Sequence, residues 1–275
     1  MLMKLTIVTI TYNNLAGLCK TAESVLSQTI NDFEWIIIDG ASTDGTQTYL
    51  SEIRQIWHRK QENLFIISEP DLGIYNAMNK GIRLAHGEYI LFLNSGDYFF
   101  DKFVVEQFDK DSRIADIYAG RVMEERTEKI IAYSRGKVTL WGLCHGSIPH
   151  QGTFIKRTLF RQIGMYSEDL KILSDFEFLL KAVLANASFC HNYAIIAYVE
   201  PGGISNTQIQ QMQKEQQIIF ERVLPQYVQD DFVQIHSDIA QYNETIAWFH
   251  KSKWLYDRYC KCQHLFCKIK GIWRK

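Results

Sequence analysis

Two polar turns follow bulky apolar runs within the first hundred residues. Trp35-Ile36-Ile37-Ile38 runs into Asp39-Gly40-Ala41-Ser42-Thr43-Asp44-Gly45-Thr46, and Tyr89-Ile90-Leu91-Phe92-Leu93 runs into Asn94-Ser95-Gly96-Asp97. Short, bounded apolar runs of this kind read as buried strands, so each turn delivers carboxylates, amides and hydroxyls at a strand's carboxyl end. In open α/β sheets that edge is where ligands bind. Two acid-bearing strand ends so close together point to a site for a nucleotide and a metal ion.

The elements that must position these turns alternate. Leu5 to Ile10 is a β-branched run, and Leu15, Leu18, Ala22, Val25 and Leu26 then recur at helical spacing with Asn13 or Asn14 as the cap. After the strand Trp35–Ile38 a helix is predicted from Thr46 to about Arg59, then a strand over Leu64–Ile67, a helix carrying Ile74, Ala77, Met78, Gly81, Ile82 and Ala85, and the strand Tyr89–Leu93. Strand–helix alternation with short connections predicts a mainly parallel sheet flanked by helices, a Rossmann-like α/β half. From about Asp101 the rhythm changes: short strands at Ile117–Ala119 and Lys129–Tyr133, a Gly-rich aromatic stretch over Trp141–Gly152, a helix from near Asp175 and a strand over Ala194–Val199. Pro201-Gly202-Gly203 breaks the pattern, and Thr207–Val223 and Asp231–Tyr259 read as helices.

The chain has 275 residues, 47% of them hydrophobic, enough for a substantial core and against disorder as its main state. Its net charge of −1 is unevenly spread: residues 251–275 hold eight Lys or Arg against the single acid Asp257, a net of +7 that leaves −8 for the rest. The body offers no general basic surface for nucleic acid, whereas the tail could meet anionic lipid. Trp254, Tyr256, Tyr259, Phe266 and Trp273 interleave with its basic residues, which suits a helix at a membrane interface or one whose aromatics pack on the body. No apolar run approaches the roughly 18–20 residues of a membrane span, and a cytoplasmic chain, peripheral on the membrane's inner face, is the expectation. Cys260, Cys262 and Cys267 with His264 match a zinc site weakly; reduced thiols are the simpler reading.

Four blocks then occur in order: Thr9-Ile10-Thr11-Tyr12-Asn13, Ser24-Val25-Leu26-Ser27-Gln28-Thr29, Asp39 with Ser42-Thr43-Asp44-Gly45-Thr46, and Gly87-Glu88-Tyr89 before Asn94-Ser95-Gly96-Asp97. Over roughly residues 4–205 the chain resembles the inverting family 2 glycosyltransferases with the GT-A fold, and Leu93 to Asp97 is similar to the bacterial enzymes of surface-polysaccharide assembly. The resemblance implies a GT-A domain over 1–205, with a nucleotide-binding half (1–100) and an acceptor half (101–205), followed by a helical extension (206–275). It also implies a nucleotide-diphosphate sugar, foremost a UDP-sugar, as donor, a divalent cation (Mn2+ or Mg2+), and a glycan or lipid-linked acceptor.

Carried over residue by residue, the resemblance makes Asp97 the metal ligand or, alternatively, a turn-capping acid, since Asn94 and Gly96 stand where the family has two acids. Asn94 would add a carbonyl or ribose contact. Tyr12 would stack on the base with Thr11 donating beside it, and Asp39 would accept from base or ribose, although Gly40 replaces the family's second acid. Asp71 would face the nucleotide or cap the next helix; Lys80 would reach a phosphate oxygen or remain solvated. Asp175, opening a helix, corresponds to the general base, and a helix N-terminus favours its ionised form. Trp141, His150 and Gln151 lie where the family contacts donor sugar or acceptor, and Gly202-Gly203-Ile204-Ser205 suits a closing loop. A nucleotidyltransferase would want a Gly-rich basic loop where Tyr12-Asn13-Asn14-Leu15 stands, and no Gly-x-Gly-x-x-Gly supports a dinucleotide enzyme. A catalytically silent nucleotide-sugar binding module stays open as the alternative.

Overall fold

The computed structural model describes residues 3–58, 63–113, 115–133, 136–146, 148–200 and 208–251. The Gly202-Gly203-Ile204-Ser205 segment and, apart from Lys251, the basic tail with its cysteines lie outside the described residues. The chain divides into two compact units, Met1–Ile218 and Ile219–Lys275.

In the first unit β1 (Leu5–Thr11), α1 (Leu15–Leu26), β2 (Glu34–Asp39), α2 (Thr46–His58), β3 (Leu64–Ser68), α3 (Ile74–Leu84) and β4 (Tyr89–Phe92) follow one another as the alternation predicts. All four strands are parallel, in the order β3-β2-β1-β4. Every residue of β1, β2 and β4 is buried, which is why these segments read as unbroken apolar or β-branched runs. The few polar side chains among them are satisfied locally: Thr9 Oγ1 accepts from Trp35 Nε1 at 3.0 Å, and Thr6 donates to Glu34 at 2.6 Å. Phe33, Trp35 and Trp57 pack edge to face or tilted on one side of the sheet, burying large apolar areas.

Beyond β4 come β5 (Tyr98–Phe99), α4 (Val104–Lys110), β6 (Ile117–Glu124), β7 (Ile130–Ile131), α5 (Leu140–Cys144), a 3₁₀ turn (His150–Gly152), β8 (Thr153–Lys156), α6 (Arg157–Ile163), α7 (Ser174–Leu184) and β9 (Phe189–Val199). They continue the same sheet in the order β4-β8-β6-β9-β5, with β7 paired to β6. Here β8 is antiparallel to both β4 and β6, while β6 and β9 run parallel through an irregular register. Pairing with β9 carries β6 well past Ala119, where the local signal ends. β8 has only four residues and no period to announce it, yet it joins the two halves of the sheet. Phe154 on β8 stacks on Phe108 of α4 with ring centroids 3.9 Å apart.

α8 (Ile209–Val223) begins in the first unit and ends in the second, which continues as α9 (Gln226–Lys251). α9 starts directly after Pro225, five residues before the sequence signal at Asp231, because a proline before the first turn has no amide to leave unpaired. Among the described residues, no helix is long and apolar enough to cross a membrane.

Candidate active site

At the tip of β2 the Asp39 side chain is fully buried. Its oxygens accept from the Ser42 amide (3.2 Å), Ser42 Oγ (2.5 Å), Gln47 Nε2 (3.0 Å) and Ser68 Oγ (2.6 Å). A carboxylate enclosed by this many donors is an organiser of the turn. Asn13 and Asp44 complete the turn. Asn13 N donates to Ser42 Oγ at 2.8 Å and its side chain accepts from Thr43 N at 2.9 Å, while Asp44 takes the amides of Leu15 and Thr46. The Thr46 hydroxyl bond, more than these amides, holds the Asp44 carboxyl below its ordinary range.

Tyr12, just past β1, is 67% exposed and presents its ring to solvent. Beside it Thr11 Oγ1 is buried with no protein partner. Tyr12 and Asp71 flank Gly40 so closely that a Cβ there would stand 3.0 Å from both Tyr12 Cδ2 and Asp71 Oδ2. The missing second acid of this turn thus leaves room for the tyrosine ring and Asp71. Lys80 is tied down: its Nζ lies 2.6 Å from Asp71, 2.9 Å from Glu69 and 3.0 Å from the Pro70 carbonyl. Burial works against its charge, but the bonds from Asp71 and Glu69 outweigh it and raise its pKa. Lys80 thus holds Asp71 through Oδ1, while Asp71 Oδ2 lies beside Gly40, as the Tyr12 ring does.

The turn after β4 is built differently. Thr21 of α1 is its hub: Oγ1 lies 2.7 Å from the Asp97 carbonyl, its best acceptor, and accepts from Gly96 N at 3.1 Å. Asn14, whose side chain caps α1 through Gly17 N, also reaches Ser95 O at 3.1 Å. Gly96 has φ +105°, a conformation that favours glycine, and a Cβ there would sit 3.4 Å from the Glu200 carboxylate. An acid at position 96 would be strained and opposed by Glu200, which accounts for its absence. Asp97 itself is 9% exposed. Burial pushes its carboxyl up to about 6, against the pull of His150 and of a hydrogen bond with Gln151, and with a further push from Glu200. Asn94 Oδ1 is buried without a partner.

His150 links this turn to α7. Its Nε2 lies 3.2 Å from Asn94 Nδ2, and its Nδ1 lies 3.3 Å from Asp175 Oδ2. With the proton on Nδ1 the ring donates to Asp175 and Nε2 accepts from the Asn94 amide. Charging the ring requires that amide to turn over, which would also give Asn94 Oδ1 its missing partner. Burial opposes the charge on His150, but the hydrogen bond to Asp175 and the charges of Asp175 and Asp97 prevail and raise its pKa. The other Asp175 oxygen accepts from Phe176 N at 2.9 Å and lies 3.1 Å from the Tyr75 hydroxyl. Burial, then the Asp175 charge, push the Tyr75 pKa well up, so Tyr75 stays a donor.

Asp97, Asn94, His150, Gln151 and Asp175 are therefore brought together, with His150 bonded to Asp175 and Asn94 and acting electrostatically on Asp97. Trp141 lies on α5, its ring 4.0 Å from that of His145, and α5 packs on α7. Sequence reasoning missed Thr21, Asn14 in its second role, Tyr75 and Glu200. Thr21 and Tyr75 look like ordinary helix positions; only the fold turns them toward the site. Among the described residues, no three His, Cys, Asp or Glu side chains gather as a metal cluster. The Asp97 carboxylate and the unpartnered Asn94 carbonyl are nevertheless hard oxygen donors of one turn, a chemistry that suits Mg2+ or Mn2+ completed by phosphate oxygens and water.

A sheet of this order, with acids, an imidazole and an orphaned amide converging at strand ends, defines an α/β enzyme with a site for an oxygen-rich ligand. Residues 6–172 match the model for glycosyl transferase family 2, more than half of the chain, and the protein belongs to that family; it is a glycosyltransferase. It is 31% identical over 212 residues to a PGL/p-HBAD biosynthesis glycosyltransferase of Mycobacterium bovis, covering 72% of this chain and 77% of that one. An uncharacterized glycosyltransferase of Rickettsia typhi is 25% identical over 255 residues, covering 87% and 77%. In fold the chain is similar to S. aureus TarS 1–349 in complex with UDP-GlcNAc (TM-score 0.61, 21% identity, 72% of this chain and 58% of that one). It is also similar to a mannosyltransferase from Pyrobaculum calidifontis in complex with GDP-Man and Mn2+ (TM-score 0.61, 17% identity, 80% and 68%). The match spans less than two thirds of the TarS structures.

Proposed function

We propose that the chain moves a sugar, with inversion, from a nucleotide-diphosphate sugar to a hydroxyl of a growing surface glycan. The observation that carries this reading is that one imidazole, His150, bonds Asp175 and acts electrostatically on Asp97, so both acids meet at one site. Asp175 receives the proton of the acceptor hydroxyl as that oxygen attacks the anomeric carbon. His150 and Phe176 N–H orient its carboxylate in the first turn of α7. Tyr12 offers an exposed ring to the base, and Thr11 an unused hydroxyl beside it. Asp97, with Asn94, would hold a divalent cation, which when bound neutralises charge on the departing diphosphate. Gln151, bonded to Asp97, keeps that carboxylate aimed.

The donor class is supported by the UDP-GlcNAc and GDP-Man complexes of the fold neighbours, and a role in a biosynthetic glycosylation by the mycobacterial relative, named for PGL/p-HBAD biosynthesis. Residues 1–205 act as the transferase domain in this reading. The basic, aromatic segment 251–275 brings the enzyme to the inner face of the membrane, where a lipid-diphosphate acceptor would be met. A thermal-shift screen of nucleoside diphosphates and their sugars, with and without Mn2+, tests the donor site. One nucleotide series should raise the melting temperature, more so with Mn2+; no response from any of them contradicts the proposal.

A further inference from the structure

The loop that leads into α7 is gripped by a residue well outside the span that matches the family. Glu215 lies on α8, within the first unit, and is 1% exposed. Its Oε1 accepts from Lys171 N at 2.8 Å and from Gln211 Nε2 at 2.9 Å. Its Oε2 accepts from Ile172 N at 2.9 Å and Leu173 N at 3.0 Å. Three consecutive amides aimed at one carboxylate form a backbone nest. Burial alone would raise the Glu215 pKa, but these bonds prevail and hold it below the ordinary value, so the group is ionised in the folded protein. α7 has no side-chain cap of its own at Leu173. Glu215 instead fixes the chain leading into it from α8.

A further contact of the gripped loop is shared with Asp175. Tyr75 has a single hydroxyl proton, and its oxygen lies 2.6 Å from the Ile172 carbonyl and 3.1 Å from Asp175 Oδ1. With the carbonyl held at the shorter distance, it takes the proton and leaves Asp175 Oδ1 with its lone pairs less engaged. A loosened loop would pass that proton to Asp175, stabilising the carboxylate and weakening it as a base. The groups acting on Asp175 are His150, Tyr75, Phe176 N–H and Tyr166, with Asp97 acting on the imidazole.

We propose that Glu215 is a positioning residue for glycosyl transfer, holding Lys171–Leu173 so that Ile172 and not Asp175 receives the Tyr75 hydroxyl. This rests on the assignment of Asp175 as base. Glu215→Gln keeps the shape but turns an NH2 group toward amide donors. The expected result is a kcat lowered about tenfold or more, since small misplacements of a reacting group are costly. Nucleotide affinity should stay within about twofold, with the acid limb of the kcat–pH profile moved to lower pH. In a Tyr75→Phe background the same substitution should no longer move that limb, a coupling that a general loss of stability would not produce. An unchanged kcat and pH profile in a folded Glu215→Gln enzyme overturns the proposal. Full activity of Asp175→Asn would instead remove the base assignment while leaving the grip of Glu215 intact. Should Glu215→Gln not fold, amide exchange on the unaltered enzyme decides: slow exchange at Lys171, Ile172 and Leu173 supports the grip, and loop-like exchange at all three overturns it.

Discussion

Asp39 and Asp97 end neighbouring parts of one sheet and are both buried, but they differ in their surroundings. Asp39 is surrounded by donors from Ser42, Gln47 and Ser68. Asp97 is short of compensation: burial lifts its carboxyl to about 6, Glu200 adds to the lift, and Asn94 beside it has a carbonyl without a partner. A satisfied buried charge stabilises a shape, whereas an under-compensated one has affinity left over for a ligand. In the proposed reading the first turn is scaffold and the second is site, although the sequence writes both as an acid-bearing turn after an apolar strand.

The largest test of that division concerns the acid bonded to His150. Asp175→Asn should lower kcat by about 10²–10⁴-fold, the usual contribution of a positioned general base, in steady-state transfer assays, with nucleotide affinity little changed. Asp39→Asn probes the scaffold. It places an amide NH2 among donors that need an acceptor, and chemical denaturation should show a loss of about 1–3 kcal/mol, with activity falling only as the folded fraction falls. If instead Asp39→Asn weakened nucleotide binding in a fully folded protein, the contrast between the turns would break.

A smaller effect sharpens the contrast through pH. The Asp97 carboxyl sits at about 6 in the folded protein against 3.8 ordinarily, so on lowering the pH from 7 the folded state takes up this proton before the unfolded chain does. Through this group alone, the metal-free protein gains stability as the pH falls through about 6. The same proton competes with a cation, so the extra melting-temperature rise given by Mn2+ and nucleotide should shrink over that interval. A Mn2+ increment constant from pH 7.5 to 5 would show that Asp97 does not hold the ion.

The parallel half of the fold was legible because buried parallel strands leave long apolar signatures and the helices between them are strongly periodic. The second half was legible only in outline. β5 and β8 are too short to carry a period, and β6 owes its length to pairing with β9, a long-range effect. At the site, Asp97, His150, Gln151 and Asp175 could be picked out through the family resemblance, and the fold brings them together. What surrounds each acid could not, because Asp39 draws its donors from three separate segments and Lys80 takes up Asp71 across a turn. Glu215 was hidden more thoroughly: among Gln211, Gln213, Gln216 and Gln217 it looks like one more solvated position on a polar helix.

Calorimetric titration of a nucleoside diphosphate with Mn2+, run beside transfer assays on the same Asp97→Asn and Asp175→Asn preparations, tests the central claim most directly. Asp97→Asn should lose the Mn2+-dependent part of the affinity, while Asp175→Asn keeps it and loses turnover. Transfer by Asp175→Asn at the unaltered rate, or undiminished Mn2+-dependent binding by Asp97→Asn, would contradict it.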